Sequence, residues 1–197
     1  MEGIKAAWDE HKEVQDVMIF LQSHGVSPAY AVRIFHQYGK GSIQVVRENP
    51  YRLATDITGI GFLIVDDIAR KLGFATDCDL RAEAGIHFML KQMSDKGHVY
   101  YPREALLDMC RERLEIGLDI LEEGAENLVH DRRLVQEEMR GETVYYLANH
   151  YAAEKGVATL FKVLMEAPKM LETMEPERAV ALAQSKLFLD LARKQAE

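Results

Sequence analysis

The chain has 197 residues, 48% of them hydrophobic, and a formal charge of −8. That is enough for one large or two small domains with a proper core, and the acidic balance argues against a self-sufficient nucleic-acid binder, which normally carries a basic excess. No apolar run is long enough to cross a bilayer, and the charged stretch Met1 to Glu13 reads against a secretory leader; Cys78 and Cys110 lack metal or disulfide spacing, so a reducing, cytoplasmic setting is expected.

In chain order, apolar positions at Trp8, Val14, Val17, Met18 and Leu21 predict an amphipathic helix over residues 4–22. Ser23 to Ser27 break it, Ser27 and Pro28 supply an N-cap and a first helical residue, and a second helix runs to about Tyr38 before Gly39. Ile43, Val45, Val46 and Leu53 fall on a helix and connector. A short helix then leads into Gly59-Ile60-Gly61, and the periodic run Leu63 to Leu72 predicts a helix that closes at Gly73. Gly25-Val26-Ser27 stands in the same setting 34 residues earlier, so one helix–hairpin–helix unit occurs twice.

After Gly73 the texture changes. A helix is predicted from Asp77–Asp79 to Ser94, a strand over His98 to Tyr101, and helices over Pro102 to Leu114 and Ile116 to Asn127. Leu134 to Met139 and Thr143 to Leu147 read as strands around the turn Arg140-Gly141-Glu142, and a helix follows from Asn149 to Glu166. Pro168 and Pro176 bracket a linker before a last helix, Glu177 to Gln195. The expected fold is mainly α: tandem helix–hairpin–helix units in residues 1–76, a winged-helix-like α+β module with a small β-hairpin in 77–166, and a linker and helix in 167–197.

The hairpins carry the chemistry. Glycines let the backbone turn tightly and approach another molecule, and Ile60 between them would pin the turn between its two helices. Unpaired N–H groups at the start of the following helix can donate to a phosphate, which holds a nucleic-acid backbone without reading bases. Candidate contacts are Gly25, Val26 and Ser27 in the first hairpin, with Arg33, His24 and His36 near in sequence, and Gly59, Ile60 and Gly61 in the second, which has little positive charge beside it. Ser27 has a competing use as a helix cap. Arg132, Arg133 and Arg140 flank or tip the predicted wing and are either backbone contacts or solvated surface cations. Tyr100, Tyr101, Tyr145 and Tyr146 could stack on bases, but alternation predicts one of each pair packed inward and the other half exposed. No His or Cys spacing suits a metal, and Asp66-Asp67 diverge by about 100° on one helix, which disfavours a two-metal site.

Several segments resemble the N-terminal region of the RecD/TraA family of DNA helicases, in its longer RecD-like branch. They are Phe20 to Ser27; Glu48-Asn49-Pro50-Tyr51-Arg52-Leu53-Ala54 with Gly59-Ile60-Gly61-Phe62 and Asp66; Gly97-His98-Val99-Tyr100-Tyr101-Pro102-Arg103-Glu104; and Ala153-Glu154-Lys155. The resemblance covers nearly the whole chain. It implies a parent enzyme that uses ATP and magnesium to move five-prime to three-prime along single-stranded DNA in repair or recombination. Ile4 to Trp8 resemble the tail of an earlier hairpin unit, and Leu189 to Ala196 resemble the lead-in to a motor domain. No G-x-x-x-x-G-K-[ST] loop occurs in the 197 residues, so this chain itself is expected to be non-catalytic and without a cofactor. Expected partners are DNA, single-stranded or a junction, the parent's own motor domains and a repair or replication protein. Leu63 departs from the polar or basic residue common in the family at that place. With the acidic charge, it favours an alternative: a scaffold or protein-interaction module whose hairpins pack against other domains.

Overall fold

A computed structural model describes residues 14–166 and 176–187. The start of the first predicted helix, the linker over 167–175 and the end of the last helix lie outside the described residues. Contacts divide the chain into two compact units, Met1–Ala153 and Glu154–Glu197.

In the first unit, helix α1 covers residues 14–23 as far as described. Helix α2 is Pro28–Tyr38, capped by Ser27, with Ala31 and Ile34 buried one turn apart. A 3-10 turn, Gly39–Gly41, leads into α3, Ser42–Glu48, and a short α4, Arg52–Asp56. Helix α5, Phe62–Lys71, buries Phe62, Val65, Ile68 and Ala69 along one face, and Gly73 ends it at a φ of 87°. The 34-residue repeat is legible in the packing. Val26 and Ile60 are buried at equivalent places, as are Ala31 and Val65, and Ile34 and Ile68. Burying Val26 or Ile60 stabilises its hairpin by about 1.5–3 kcal/mol.

The elements after α5 mix helix and strand: α6 (Asp79–Asp95), β1 (Tyr100–Pro102), α7 (Arg103–Leu114), α8 (Leu118–His130), β2 (Leu134–Met139) and β3 (Glu142–Leu147). The strands form one antiparallel sheet in the order β1-β3-β2. Tyr101 lies opposite Tyr145, and Gln136 lies opposite Tyr145 from the other side. The strand expected over 98–101 forms at Tyr100–Pro102 and widens the predicted hairpin into a three-stranded sheet. The expectation of one buried and one half-exposed tyrosine on β3 is corrected, because Tyr145 and Tyr146 are both buried. Central position is the reason: helices α6 and α7 cover one face of β3, while the Tyr146 ring packs against Tyr100 and Tyr151.

One hydrophobic cluster runs from Val17 to Leu147, so α5 and α6 share a core across residues 76–77. A buried ionic network reinforces that junction. Arg81 donates to Asp66 from Nε at 2.7 Å and Nη2 at 3.1 Å, and from Nη1 to the carbonyls of Thr76 and Leu114 at 2.8 and 2.7 Å. Tyr51 Oη and Arg70 Nη2 each donate to the same carboxylate at 2.9 Å. Asp66 and Arg81 are thereby fully engaged, as burial of charge demands. Asp66 is thus a structural strut, and Asp67 pairs separately with Lys71 at 2.5 Å.

Helix α9, Ala148–Glu166, begins in the first unit, where the His150 ring meets Ser94 Oγ at 3.2 Å. In the second unit, the rest of α9 exposes Val157, Leu160, Phe161, Leu164 and Met165. Helix α10 is Pro176–Leu187. No helix among the described residues is long and apolar enough to cross a membrane.

Candidate functional site

The two hairpins solve the same backbone problem with different hydrogen bonds. In the first, Gly25 takes a φ of 80° and its amide donates to Gln22 O at 3.0 Å, while Val26 N donates to Leu21 O at 3.0 Å. These bonds close the end of α1, so the Gly25 and Val26 amides are occupied. Ser27 Oγ accepts from Tyr30 N at 3.4 Å, which realises the capping role, and Pro28 has no amide hydrogen. Among the described residues the Ser27 and Ala29 amides remain unpaired at this corner.

The second hairpin is more open. Gly59 takes a φ of 84°, Ile60 N donates to Ile57 O at 3.2 Å, and Ile60 is buried. Gly61 caps α5 without a side chain that could satisfy the helix start. Among the described residues the amides of Gly59, Gly61, Phe62 and Leu63 have no hydrogen-bond partner. Gly59, Gly61 and Leu63 are exposed, with Leu63 at 68%, so the corner is open and Leu63 is not packed into the first unit.

The positive charge missing beside this hairpin in sequence arrives across the fold. Arg33, on α2, donates from Nη2 to the carbonyl of Thr58. A Cβ placed on Gly59 would sit 3.1 Å from Arg33 Nη2 and 3.2 Å from Nη1. The relation is reciprocal: a Cβ on Gly25 would sit 2.5 Å from Lys71 Nζ, at the end of α5. Each helix–hairpin–helix repeat therefore places a cation against the other repeat's hairpin. Both glycines also need the left-handed region, so a side chain there meets strain and a cation together. Lys71 was missed by sequence reading because its link to Gly25 exists only once the two helix–hairpin–helix repeats pack together.

A groove of about 580 Å3 runs from the second hairpin to α6. Gly59, Ile60 and Gly61 line one side, Phe88 and Lys91 the other, and Arg133 also lines it. Arg133 is half-buried and pairs with Glu83 at 3.3 Å. Burial, with the charges of Arg133 and Lys91, lowers the pKa of His87 in this groove to about 4, so its ring is neutral at pH 7. The structure thus brings Arg33 and Arg133 to the second hairpin's surroundings. Arg132 and Arg140 are elsewhere: Arg132 is exposed at the end of α8, and Arg140 is exposed at the β2–β3 turn. Tyr100 and Tyr101 lie on the sheet edge, away from the groove lining.

Residues 10–100 match the family model described as the ATP-dependent RecD2 DNA helicase HHH domain. This segment is similar to a RecD2-type helix–hairpin–helix domain, and the match continues beyond the second hairpin to take in α6, the helix that Asp66 and Arg81 join to α5.

Proposed function

We propose that this chain is a non-catalytic accessory region of a five-prime-to-three-prime DNA helicase, and that it holds the DNA backbone, without sequence preference, at its two hairpins. The observation that carries the reading is the second corner: the amides of Gly59, Gly61 and Leu63 lack partners among the described residues and sit on exposed residues, the partnerless Phe62 amide lies on a buried one, and the Arg33 guanidinium stands beside the turn. Amide donors pointing outward at a helix start suit an anion, and a guanidinium suits a phosphate in particular. The first hairpin contributes less, through the Ser27 amide and Lys71, whose ammonium a phosphate would share with Asp67. Residues 77–166, in the order helix–strand–helix–helix–strand–strand followed by α9, act as a winged-helix-like spacer, and 167–197 lead toward a motor that supplies the ATP and magnesium chemistry.

Fluorescence anisotropy with single-stranded and junction DNA at low salt tests this. Micromolar or tighter binding is expected, falling with salt by a slope of roughly −0.7 per neutralised phosphate on single strands. Gly59→Asp places a carboxylate among the amides and Arg33, and at least tenfold weaker binding is expected from a variant whose melting shows it folded. Unchanged binding by that folded variant refutes the hairpin assignment.

A second reading, a scaffold for the motor or for a repair or replication protein, is favoured by one specific feature. Helix α8, which the winged-helix order places where a DNA-reading helix would lie, exposes Asp119, Glu123 and Glu126. Such a helix repels phosphate and suits a basic protein surface. No DNA binding at low salt, with retention of the chain on the parent's motor domains, would select this reading.

A further inference from the structure

The groove beside the second hairpin contains more than backbone contact requires. Three aromatic rings form a column: Tyr51 stacks on Phe62 with centroids 6.0 Å apart and planes at 22°, and Phe62 stacks on Phe88 at 5.0 Å and 19°. Tyr51 and Phe62 are buried, whereas Phe88 at the end of the column is only half-buried and lines the groove. A flat ring extends such a column at offset-stacking distance. Around it stand the neutral imidazole of His87 and the amide of Gln92, both suited to the polar edge of a base. Lys91 is exposed and forms no ion pair among the described residues, and Arg133 lies in the same lining; Asp95 is the opposing charge. The volume, about 580 Å3, falls within the range of about 300–1,000 Å3 usual for small-ligand clefts.

We infer that this groove takes an unpaired nucleobase, stacked on Phe88, from the strand whose phosphate meets the Gly59–Leu63 corner. The inference rests on the backbone reading above and adds the form of DNA: a duplex keeps its bases stacked in pairs and cannot fill the groove without extruding one. Charge complementarity agrees, since Lys91 and Arg133 flank the ring pocket where the adjoining phosphates would pass. Base identity is not read, because every base offers a π-face.

The test compares binding of the full chain to a thymidine oligonucleotide of about 8 nucleotides, within the usual site sizes of roughly 4–16, with binding to an abasic sugar–phosphate strand of equal length. Loss of one stacked base is expected to weaken binding about 5- to 150-fold. Phe88→Leu, which keeps the apolar bulk, should weaken binding to the thymidine strand and leave the abasic strand unchanged. Independently of any variant, 2-aminopurine in the strand should be quenched by the wild-type chain. Equal binding of the two strands without quenching overturns the groove proposal and leaves the backbone reading standing. Failure of the wild-type chain to bind either strand overturns both.

Discussion

Replacing Asp66 should unfasten the hairpin domain from α6, because the carboxylate is the common acceptor for Arg81, Tyr51 and Arg70. In Asp66→Ala the Arg81 guanidinium, on a residue 3% exposed, keeps only its two carbonyl bonds to Thr76 and Leu114 and has no counter-charge within the core. Removing one partner of a buried pair costs about 3–5 kcal/mol. For a domain near 150 residues that corresponds to a drop in melting temperature of about 6–20 °C. Urea denaturation followed by circular dichroism gives the free energy, and Asp66→Leu combined with Arg81→Met should lose less than the two single changes added together. A single-variant loss below about 1 kcal/mol, or strict additivity, would show that the network does not carry the junction.

Arg132 takes a φ of 58° where α8 ends, with Arg132 N on Val129 O and Arg133 N on Leu128 O, a place that favours glycine. Arg132→Gly should therefore stabilise the fold by about 0.5–1 kcal/mol in urea titration, and a destabilised variant would contradict the strain argument. Acid should act in two windows. His87 has a folded pKa of about 4 against 6.5, so the unfolded chain takes up the proton first and stability falls as pH drops from about 6.5 to 4. Although burial alone would raise the Asp66 pKa, hydrogen bonds from Arg81 and Tyr51 hold it below 3.8, so its contribution is lost only in more acidic solution. His87→Gln should flatten the upper window of a pH–stability curve and leave the lower one in place. Leu63→Lys adds a cation at the open corner and should steepen the salt slope of single-strand binding by about 0.7, whereas an unchanged slope would place the phosphate elsewhere.

The repeat was legible because its glycines and apolar pins recur at a fixed interval, and local rules of capping and periodicity then place most helices within a few residues. The β2–β3 hairpin followed from alternation and the Arg140-Gly141 turn. Other features depend on distance in the fold. Arg33 and Lys71 reach hairpins 25 and 46 positions away in sequence, and nothing local announces either pairing. The occupied Gly25 and Val26 amides reflect how α1 terminates, which the spacing alone could not separate from a free corner. Tyr146 is buried because β3 became a central strand, and that depended on β1 pairing with it. The aromatic column likewise requires α6 to lie against α5, which Arg81 secures through Asp66.

Amide chemical shifts address the account at its centre. Titrating the isotopically labelled chain with a single-stranded oligonucleotide at low salt should move the Gly59, Gly61, Phe62 and Leu63 resonances downfield, with a smaller response at Ser27. The β2–β3 turn and α8 should stay unmoved. Shifts confined to that turn or helix, with the Gly59–Leu63 amides unchanged, would contradict the claim that this corner holds the phosphate.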